Sequence, residues 1–330
     1  MTFCSKYKET AIDIIVPAHN ESENIMPLYE AIIAATQKYC ISEWTVYFID
    51  DGSTDDTWHR FQQVLEKDII HVRGVRLRRN FGKAEALQVG FESSEAPIVF
   101  TMDADLQDDP SAIPDFLCKL DEGFDLVSGW KRKRNDPPGK VFPSRVFNTL
   151  ARLVSAIQLH DFNCGFKVYR RTVIDHIRLY GEMHRFTPVL AHAEGFRIGE
   201  IEVPHHPRKF GRSKYGARRF LKGLLDLATV TVMTRYLRRP AHVFGGFGAA
   251  SLTVGFGVLF YLSFRKLVLG INIEQRPLFF LGILLLLLGV QLISIGILAE
   301  LVNYHNRQDI SSHVAEKTAK PKVVSPLRKK

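Results

Sequence analysis

Residues 97–110 read PIVFTMDADLQDDP, and this stretch gives the clearest indication of the fold. Its first half is short, apolar and rich in β-forming residues, which predicts a buried parallel strand ending in carboxylates at the edge of a sheet. Asp103 and Asp105 are two positions apart, so both side chains point to the same side of an extended segment. With the amide oxygen of Gln107, they offer the hard oxygen ligands that Mg²⁺ or Mn²⁺ prefers. A lone pair of this kind is more often a solvated acidic turn, so the rest of the chain must decide.

The surrounding sequence alternates between strand and helix patterns. Apolar runs predict strands at residues 12–17, 45–49, 72–77, 97–100 and 124–129, with helices between them at about 23–39, 55–67, 83–92 and 111–122. This alternation predicts an α/β domain with a mainly parallel sheet. Polar clusters follow three of the strands, at residues 17–21, 50–54 and 103–107. We expect them along one edge of the sheet, where such folds bind ligands.

The composition points to a phosphate-bearing partner in a reducing compartment. The 330 residues include 44 Lys and Arg against 35 Asp and Glu, a formal charge of +9. Such an excess favours a phosphate-bearing partner or an anionic membrane surface, and no nucleic-acid partner is expected. The four cysteines, at positions 4, 40, 118 and 164, show no paired spacing, which indicates reduced thiols rather than disulfides or a zinc site.

Two C-terminal segments, residues 242–264 and 278–301, are long and apolar enough to cross a bilayer. Basic residues are abundant on the outer flanks of this pair, whereas the connecting segment has only Arg265, Lys266 and Arg276. The positive-inside rule therefore assigns the N-terminal domain and both termini to the cytosol. The expected location is the cell membrane, with two spans.

The sequence thus divides into four predicted parts. Residues 1–216 form the α/β domain, 217–241 an amphipathic helix with basic ends, 242–301 the membrane hairpin, and 302–330 a basic, disordered tail. The amphipathic stretch could be an ordinary core helix. Its basic ends directly before a membrane segment favour a helix lying in the headgroup plane.

Four motifs stand in order along the chain: Pro17-x-x-Asn20-Glu21, Asp50-Asp51-Gly52-Ser53-x-Asp55, Asn80-Phe81-Gly82-Lys83 and Asp103-Ala104-Asp105-Leu106-Gln107. With them, the chain resembles an inverting family-2 glycosyltransferase of the GT-A fold, a Rossmann-like domain. The resemblance extends to the polyprenyl-phosphate branch, similar to dolichyl-phosphate mannose synthase and the bacterial polyprenyl-phosphate glucosyltransferases. The stretch from Gly289 to Gly296 in the second membrane segment also resembles that branch.

The resemblance implies a reaction and a set of site residues. A single sugar, with glucose or mannose as the first expectation, would pass with inversion from a UDP- or GDP-linked donor to undecaprenyl or dolichyl phosphate. It assigns nucleotide binding to Pro17, Asn20, Glu21, Asp51 and Asp103, and metal binding to Asp103, Asp105 and Gln107. The expected partners are the donor, the polyprenyl phosphate and the bilayer. Membrane hairpins of this kind often associate, so a homo-oligomer is also expected as an option.

The acceptor needs positive charge more than it needs a base. A phosphate monoester has a second pKa near 6, so it is mostly a dianion at pH 7 and is already nucleophilic. Two phosphate-bearing anions must nevertheless meet in one site, which calls for counter-charge. The candidates are Lys131, Arg145, Arg208, Arg212 and Lys214. The run at 131–134 could instead be a solvated charged surface.

One position departs from part of the family. Some relatives have an acid, proposed as catalytic base, where this chain has Gly165 in Asn163-Cys164-Gly165-Phe166-Lys167. Asp161 agrees instead with the mannose-synthase-like pattern, so Asp105 and Asp161 are the expected catalytic residues. Asp161 could serve as base, as acceptor orienter or as partner for Lys167, and a local cap or ion pair is the structural alternative.

Other functions fit the sequence less well. A processive polysaccharide synthase would carry a Gln-x-x-Arg-Trp motif and more membrane helices. A non-catalytic scaffold of the same fold would be favoured by loss of one aspartate of the pair, yet both are present. A dinucleotide oxidoreductase is disfavoured because no Gly-x-Gly-x-x-Gly follows the first strand.

Overall fold

The computed structural model describes residues 10–132, 148, 151–152, 157–179, 181–206, 226, 229–230, 240–270 and 277–305. The chain divides into two compact units, Met1–Arg235 and Tyr236–Lys330. The predicted amphipathic helix at 217–241 and the predicted tail at 302–330 fall largely outside the described residues.

The first unit is built on a mixed sheet. Its strands are β1 (Ile12–Ala18), β2 (Trp44–Asp50), β3 (Val72–Arg76), β4 (Ile98–Thr101), β5 (Leu126–Trp130), β6 (Lys167–Arg170) and β7 (Ile198–Glu202). They lie in the order β3-β2-β1-β4-β6-β5-β7. The strands β1 to β4 are mutually parallel, whereas β6 runs antiparallel to both β4 and β5. The predicted mainly parallel α/β sheet is confirmed.

The helices pack on both faces of this sheet. They are α1 (Ile25–Lys38), α2 (Thr57–Lys67), α3 (Lys83–Ser93), α4 (Ile113–Asp121), α5 (Arg171–His176) and α6 (Thr187–Ala193). Adjacent strand residues face opposite layers: Ile14 and Val16 belong to one apolar cluster, and Ile15 to the other. This burial on both sides explains why the central strands are continuously apolar.

The sequence did not predict β6 and β7. The strand β6 is four residues long and begins and ends with Lys167 and Arg170, so it lacks an apolar run. Its register comes from pairing between β4 and β5, with Thr101 opposite Lys167. Tertiary pairing therefore decides this strand, and it brings residues 161–167 next to the end of β4.

The second unit is a pair of long helices, α7 (Pro240–Leu269) and α8 (Pro277–His305). Both are long and apolar enough to cross a membrane, with mean hydropathies of 1.8 and 2.7 over Pro240–Leu269 and Pro277–Val302. Glycines seven residues apart lie where the two helices meet: Gly248 and Gly255 on α7, and Gly282, Gly289 and Gly296 on α8. A Cβ at Gly289 would lie 2.8 Å from the carbonyl oxygen of Gly248. Close backbone approach thus explains the glycines of the second segment.

Candidate active site

A cleft of about 470 Å³ opens at the carboxyl ends of β1, β2 and β4. Parallel strands carry their loops to this edge, which is why motifs distant in sequence meet there. The lining residues include Pro17, Ala18, His19, Glu21, Asp51, Asn80, Gly82, Lys83, Asp103, Ala104, Asp105, Glu182 and His184. Five of the residues predicted from the sequence are among them: Pro17, Glu21, Asp51, Asp103 and Asp105.

Asp51 follows β2 and holds the loop before α3. Its Oδ1 accepts a hydrogen bond from the backbone N–H of Phe81 (2.8 Å), and its Oδ2 accepts one from Gly82 (3.0 Å). The carboxylate therefore also caps the N-terminus of α3, where free N–H groups favour negative charge. Gly52 has φ +63°, and a Cβ there would lie 2.6 Å from the backbone nitrogen of Asn80. The two loops are packed too closely for a side chain.

The first predicted motif is tied to the second. The backbone N–H of Asn20 donates to the hydroxyl of Ser53 (3.0 Å), and the amide oxygen of Asn20 accepts from the backbone of Thr54 (2.8 Å). Asn20 has a left-handed φ of 58°, a conformation that asparagine tolerates better than most residues. Asn20 thus connects the loops after β1 and β2 and shapes the cleft from outside its lining. Glu21 lines the cleft and accepts a 2.5 Å hydrogen bond from Asn24.

Asp103 and Asp105 lie just beyond β4, on the cleft wall. Lys83, in the first turn of α3, forms an ion pair with Oδ1 of Asp103. Although burial opposes ionisation of Asp103, the neighbouring Lys83 and Lys131 hold the pKa of this carboxyl well below its usual value. Asp103 is therefore ionised at any physiological pH, as a ligand for a cation must be.

A second ion pair lies behind the first. Lys131 contacts Oδ1 of the buried Asp108 at 2.7 Å, and Oδ2 of Asp108 accepts from the backbone N–H of Asp103 (3.4 Å). Burial raises the pKa of Asp108, Asp103 adds to the rise, and Lys131 opposes it. Lys131 was predicted to bind the acceptor, whereas Asp108 had no predicted role. In the structure, Lys131 is mostly buried and supports the loop that carries Asp103.

The segment from Asp161 to Lys167 packs behind Asp103 through Gly165 and does not itself line the cleft. Asp161 is buried, and its Oδ1 accepts from the backbone N–H of Asn163 (3.0 Å). Lys167 donates to the carbonyl oxygen of Cys164, and burial together with Lys83 lowers its pKa. The Cα of Gly165 lies against Asp103, since a Cβ there would be 2.6 Å from Asp103 Cγ. The missing side chain at Gly165, noted from the sequence, leaves room for the carboxylate.

The lining residues that carried no predicted role include Lys83, Glu182 and His184. Lys83 belongs to the Asn80–Lys83 motif, and the position of this motif between the two aspartate motifs was the sequence signal that could have placed Lys83 in the site. His184 lies in a short 3₁₀ segment at Met183–Arg185, and Glu182 directly precedes it; no motif marks this part of the chain. Burial, and then the positive charge of Lys83, hold the pKa of His184 well below its usual value, so this imidazole is neutral.

The remaining predicted residues lie elsewhere. Gln107 lies beside the cleft: its N–H donates to Oδ1 of Asp105 (3.2 Å) and its carbonyl accepts from His206 (3.1 Å). Among the described residues, its side chain is not part of the cleft lining. Four predicted acceptor contacts fall outside the described residues: Arg145, Arg208, Arg212 and Lys214.

The donor set fits a divalent metal that is completed by other ligands. Within the part of the chain that the structure describes, no group of three or more His, Cys, Asp or Glu side chains could hold an ion. Asp103 and Asp105 both line the cleft and supply two hard oxygen donors. Mg²⁺ is commonly held by one or two carboxylates together with water and substrate phosphates. Asp103 and Asp105 would be the protein's contribution to such a site.

The sheet order and this cleft define a glycosyltransferase of the GT-A type. Residues 13–178 match the model of "Glycosyl transferase family 2". The chain belongs to this family, and it is a glycosyltransferase.

Two relatives resemble the chain over most of its length. The dodecaprenyl-phosphate galacturonate synthase of Rhizobium johnstonii is 39% identical, over 88% of this chain and 87% of its own. The undecaprenyl-phosphate 4-deoxy-4-formamido-L-arabinose transferase of Shewanella sediminis is 31% identical, over 88% of this chain and 86% of its own. Both relatives are polyprenyl-phosphate sugar transferases by name, as the resemblance had implied.

Solved structures share the fold of the first unit. Glucosyl-3-phosphoglycerate synthase from Mycobacterium tuberculosis, crystallised with Mn²⁺, UDP and phosphoglyceric acid, superposes with a TM-score of 0.51 at 20% identity. The match covers 66% of this chain and 78% of that one. The same enzyme crystallised with Mn²⁺ and UDP-glucose gives a TM-score of 0.50 at 22% identity, over 67% and 80% of the two chains. At these identities the likeness establishes the fold.

Proposed function

We propose that the protein transfers a single sugar, with inversion, from a nucleotide-diphosphate sugar to a polyprenyl phosphate at the cytosolic face of the membrane. The observation that carries the proposal is the cleft with its paired carboxylates, in a chain whose relatives match across both units. The galacturonate synthase aligns over 88% of this chain, more than the first unit alone contains. Two candidate membrane spans add support for a lipid-linked acceptor.

On the donor side, the chain places carboxylate side chains and a lysine next to one another at the cleft wall. A divalent ion bound by Asp103 and Asp105 would neutralise charge on the diphosphate of the leaving nucleotide. Asp51 holds the loop that carries Asn80 and Gly82 into the cleft. Lys83 places a cation on the same wall as the carboxylates. We expect these residues to orient the donor, and His184 adds a neutral ring to the cleft lining.

On the acceptor side, no strong base is required. A phosphate dianion already has the electron pair that attacks the sugar carbon. Asp161 is buried and bonded to its own loop, which supports a role in orienting residues 161–165 rather than in removing a proton. Arg145, Arg208, Arg212 and Lys214 stay candidates for the lipid phosphate, because arginine binds phosphate in a bidentate manner and lysine binds it as a point charge. Lys131, paired with Asp108, would act on the acceptor only through the field it adds.

The identity of the sugar is the open part of the proposal. Glucose and mannose were predicted from the resemblance, and the names of the relatives add galacturonate and formamido-arabinose. The assay that identifies the sugar, described below, also identifies the nucleotide of the donor, uridine or guanosine diphosphate. A scaffold without activity and a polysaccharide synthase are the alternatives that this measurement must separate.

The test incubates membranes containing the protein with undecaprenyl phosphate, Mg²⁺ or Mn²⁺, and labelled donors one at a time. The panel contains UDP-glucose, GDP-mannose, UDP-galacturonate and the nucleotide-linked form of 4-deoxy-4-formamido-L-arabinose, and matched membranes lacking the protein serve as control. We expect label to enter the lipid phase with one donor, as a single sugar released by mild acid. Label in a water-soluble polymer would indicate a synthase, and no incorporation with any donor would contradict the proposal.

A further inference from the structure

Lys83 and Asp103 share a position that a metal would also need. The Nζ of Lys83 lies on Oδ1 of Asp103, and the two side chains are 31% and 30% exposed. Both line the cleft, so each can reach a ligand there. A divalent ion held by Asp103 would therefore enter directly beside the ammonium group of Lys83.

Two of the carboxylates at this wall, Asp103 and Asp108, are already paired with lysines. Lys83 pairs with Asp103, and Lys131 pairs with Asp108 just behind it. A divalent cation added here meets the electrostatic repulsion of the ammonium group of Lys83 at close range. A nucleoside diphosphate brings negative charge that offsets this repulsion. The favourable combination is cation and diphosphate together.

The side chain of Lys83 can move when a ligand enters the cleft, whereas the backbone before it is held in place. The backbone before it is held, because the N–H groups of Phe81 and Gly82 both donate to Asp51. Lysine has a flexible four-carbon stem that ends in a compact charge. Its Nζ can leave Asp103 for a diphosphate oxygen in the same cleft without any movement of α3.

We propose that Lys83 is an exchangeable counter-ion that makes divalent-cation binding depend on the nucleotide. Lys83 neutralises Asp103 when no diphosphate is present and moves to the diphosphate when the donor enters, which leaves Asp103 to the metal. The inference rests on the proposed function, since it takes the donor to be a nucleotide diphosphate. Lys83 is thus a positioning residue for the donor and a gate on the metal site.

The test measures metal binding directly, without turnover. The purified full chain in detergent is titrated with Mn²⁺, and free Mn²⁺ is followed by its EPR signal, alone and with UDP or GDP. Nucleotide without protein supplies the blank. We expect the wild type to bind Mn²⁺ at least about tenfold more tightly with one nucleotide than without it. Lys83→Met should bind Mn²⁺ without nucleotide at least about tenfold more tightly than the wild type, and Lys83→Arg should behave as the wild type.

The control and the contrary results are equally defined. Lys119 forms a surface pair with Glu122 outside the cleft, so Lys119→Met should leave Mn²⁺ binding unchanged. Equal Mn²⁺ affinity of the wild type with and without nucleotide overturns the proposal even if Lys83→Met does not fold. Equal affinity of wild type and a folded Lys83→Met overturns it as well. Sugar transfer is scored separately, so a protein that shows the Lys83 effect but transfers no sugar contradicts only the proposed function.

Discussion

Gly165→Ala should reduce sugar transfer sharply while leaving the protein folded. A Cβ at position 165 would lie 2.6 Å from Cγ and 2.7 Å from Oδ2 of Asp103. An ordinary carbon contact is about 3.5 Å, so the Asp103 carboxylate must move by about 1 Å. It can move, because it is the end of a side chain at the cleft wall. A displacement of about 1 Å at a reacting site can lower the rate about 100-fold.

The assay compares kcat for lipid glycosylation with thermal unfolding of the same preparations. We expect kcat to fall by about one to two orders of magnitude, because the Asp103 carboxylate is displaced by about 1 Å. The free energy of unfolding should fall only slightly, by about 1 kcal/mol. Gly74→Ala is the matched control. Its Cβ would meet the Trp58 ring at 3.4 Å, an ordinary contact on β3, so activity and unfolding temperature should both be retained.

Two outcomes would refute this reasoning. If Gly165→Ala transfers sugar at the wild-type rate, Asp103 is not held at a catalytically required position. If the variant unfolds, the backbone at 165 rather than the Asp103 side chain absorbs the overlap, and the premise of a movable carboxylate fails.

The remaining predictions concern three other side chains. Asp105→Ala should abolish transfer with an unchanged circular dichroism spectrum, and undiminished turnover would contradict the metal assignment. Asp51→Ala removes the acceptor of two backbone hydrogen bonds, so the free energy of unfolding measured with urea should fall by about 3 kcal/mol. An unchanged urea midpoint would show that Asp51 does not stabilise the fold. Burial raises the pKa of the Cys164 thiol to about 12, which leaves about one thiolate in 10⁴ at pH 8. Iodoacetamide should therefore label the exposed Cys40 and Cys118 in the native protein but spare Cys164, as peptide mass spectrometry can check.

Much of the first unit was predictable because its signals are local. The strands β1, β2 and β4 are apolar runs buried on both faces, and each ends in a polar cluster. Such runs predict a parallel sheet, and the polar clusters that follow them predict the edge at which ligands bind. Asp103 and Asp105 could be placed on the cleft wall from their spacing and position alone. Membrane-length apolar segments are equally local and were predicted within a few residues.

The two antiparallel pairings of β6 could not be predicted in the same way. Lys167–Arg170 is short and polar at both ends, so its strand conformation depends on neighbours far away in the sequence. The same holds for Glu182 and His184, which enter the cleft from a segment with no motif. The fold pairs Lys131, which was predicted to bind the acceptor, with Asp108, an acid that had no predicted role.

The class of enzyme, the sheet edge that carries its carboxylates and the two candidate membrane spans could all be predicted from the sequence. These depend on the order of motifs and on runs of apolar residues, which are properties of the chain itself. Two features depend on the tertiary structure: the ion pairs of Lys83 with Asp103 and of Lys131 with Asp108, and the close packing of Gly165 against Asp103. Charge pairing falls off steeply with distance, so it is decided by contacts between segments that the sequence separates by 20 residues or more.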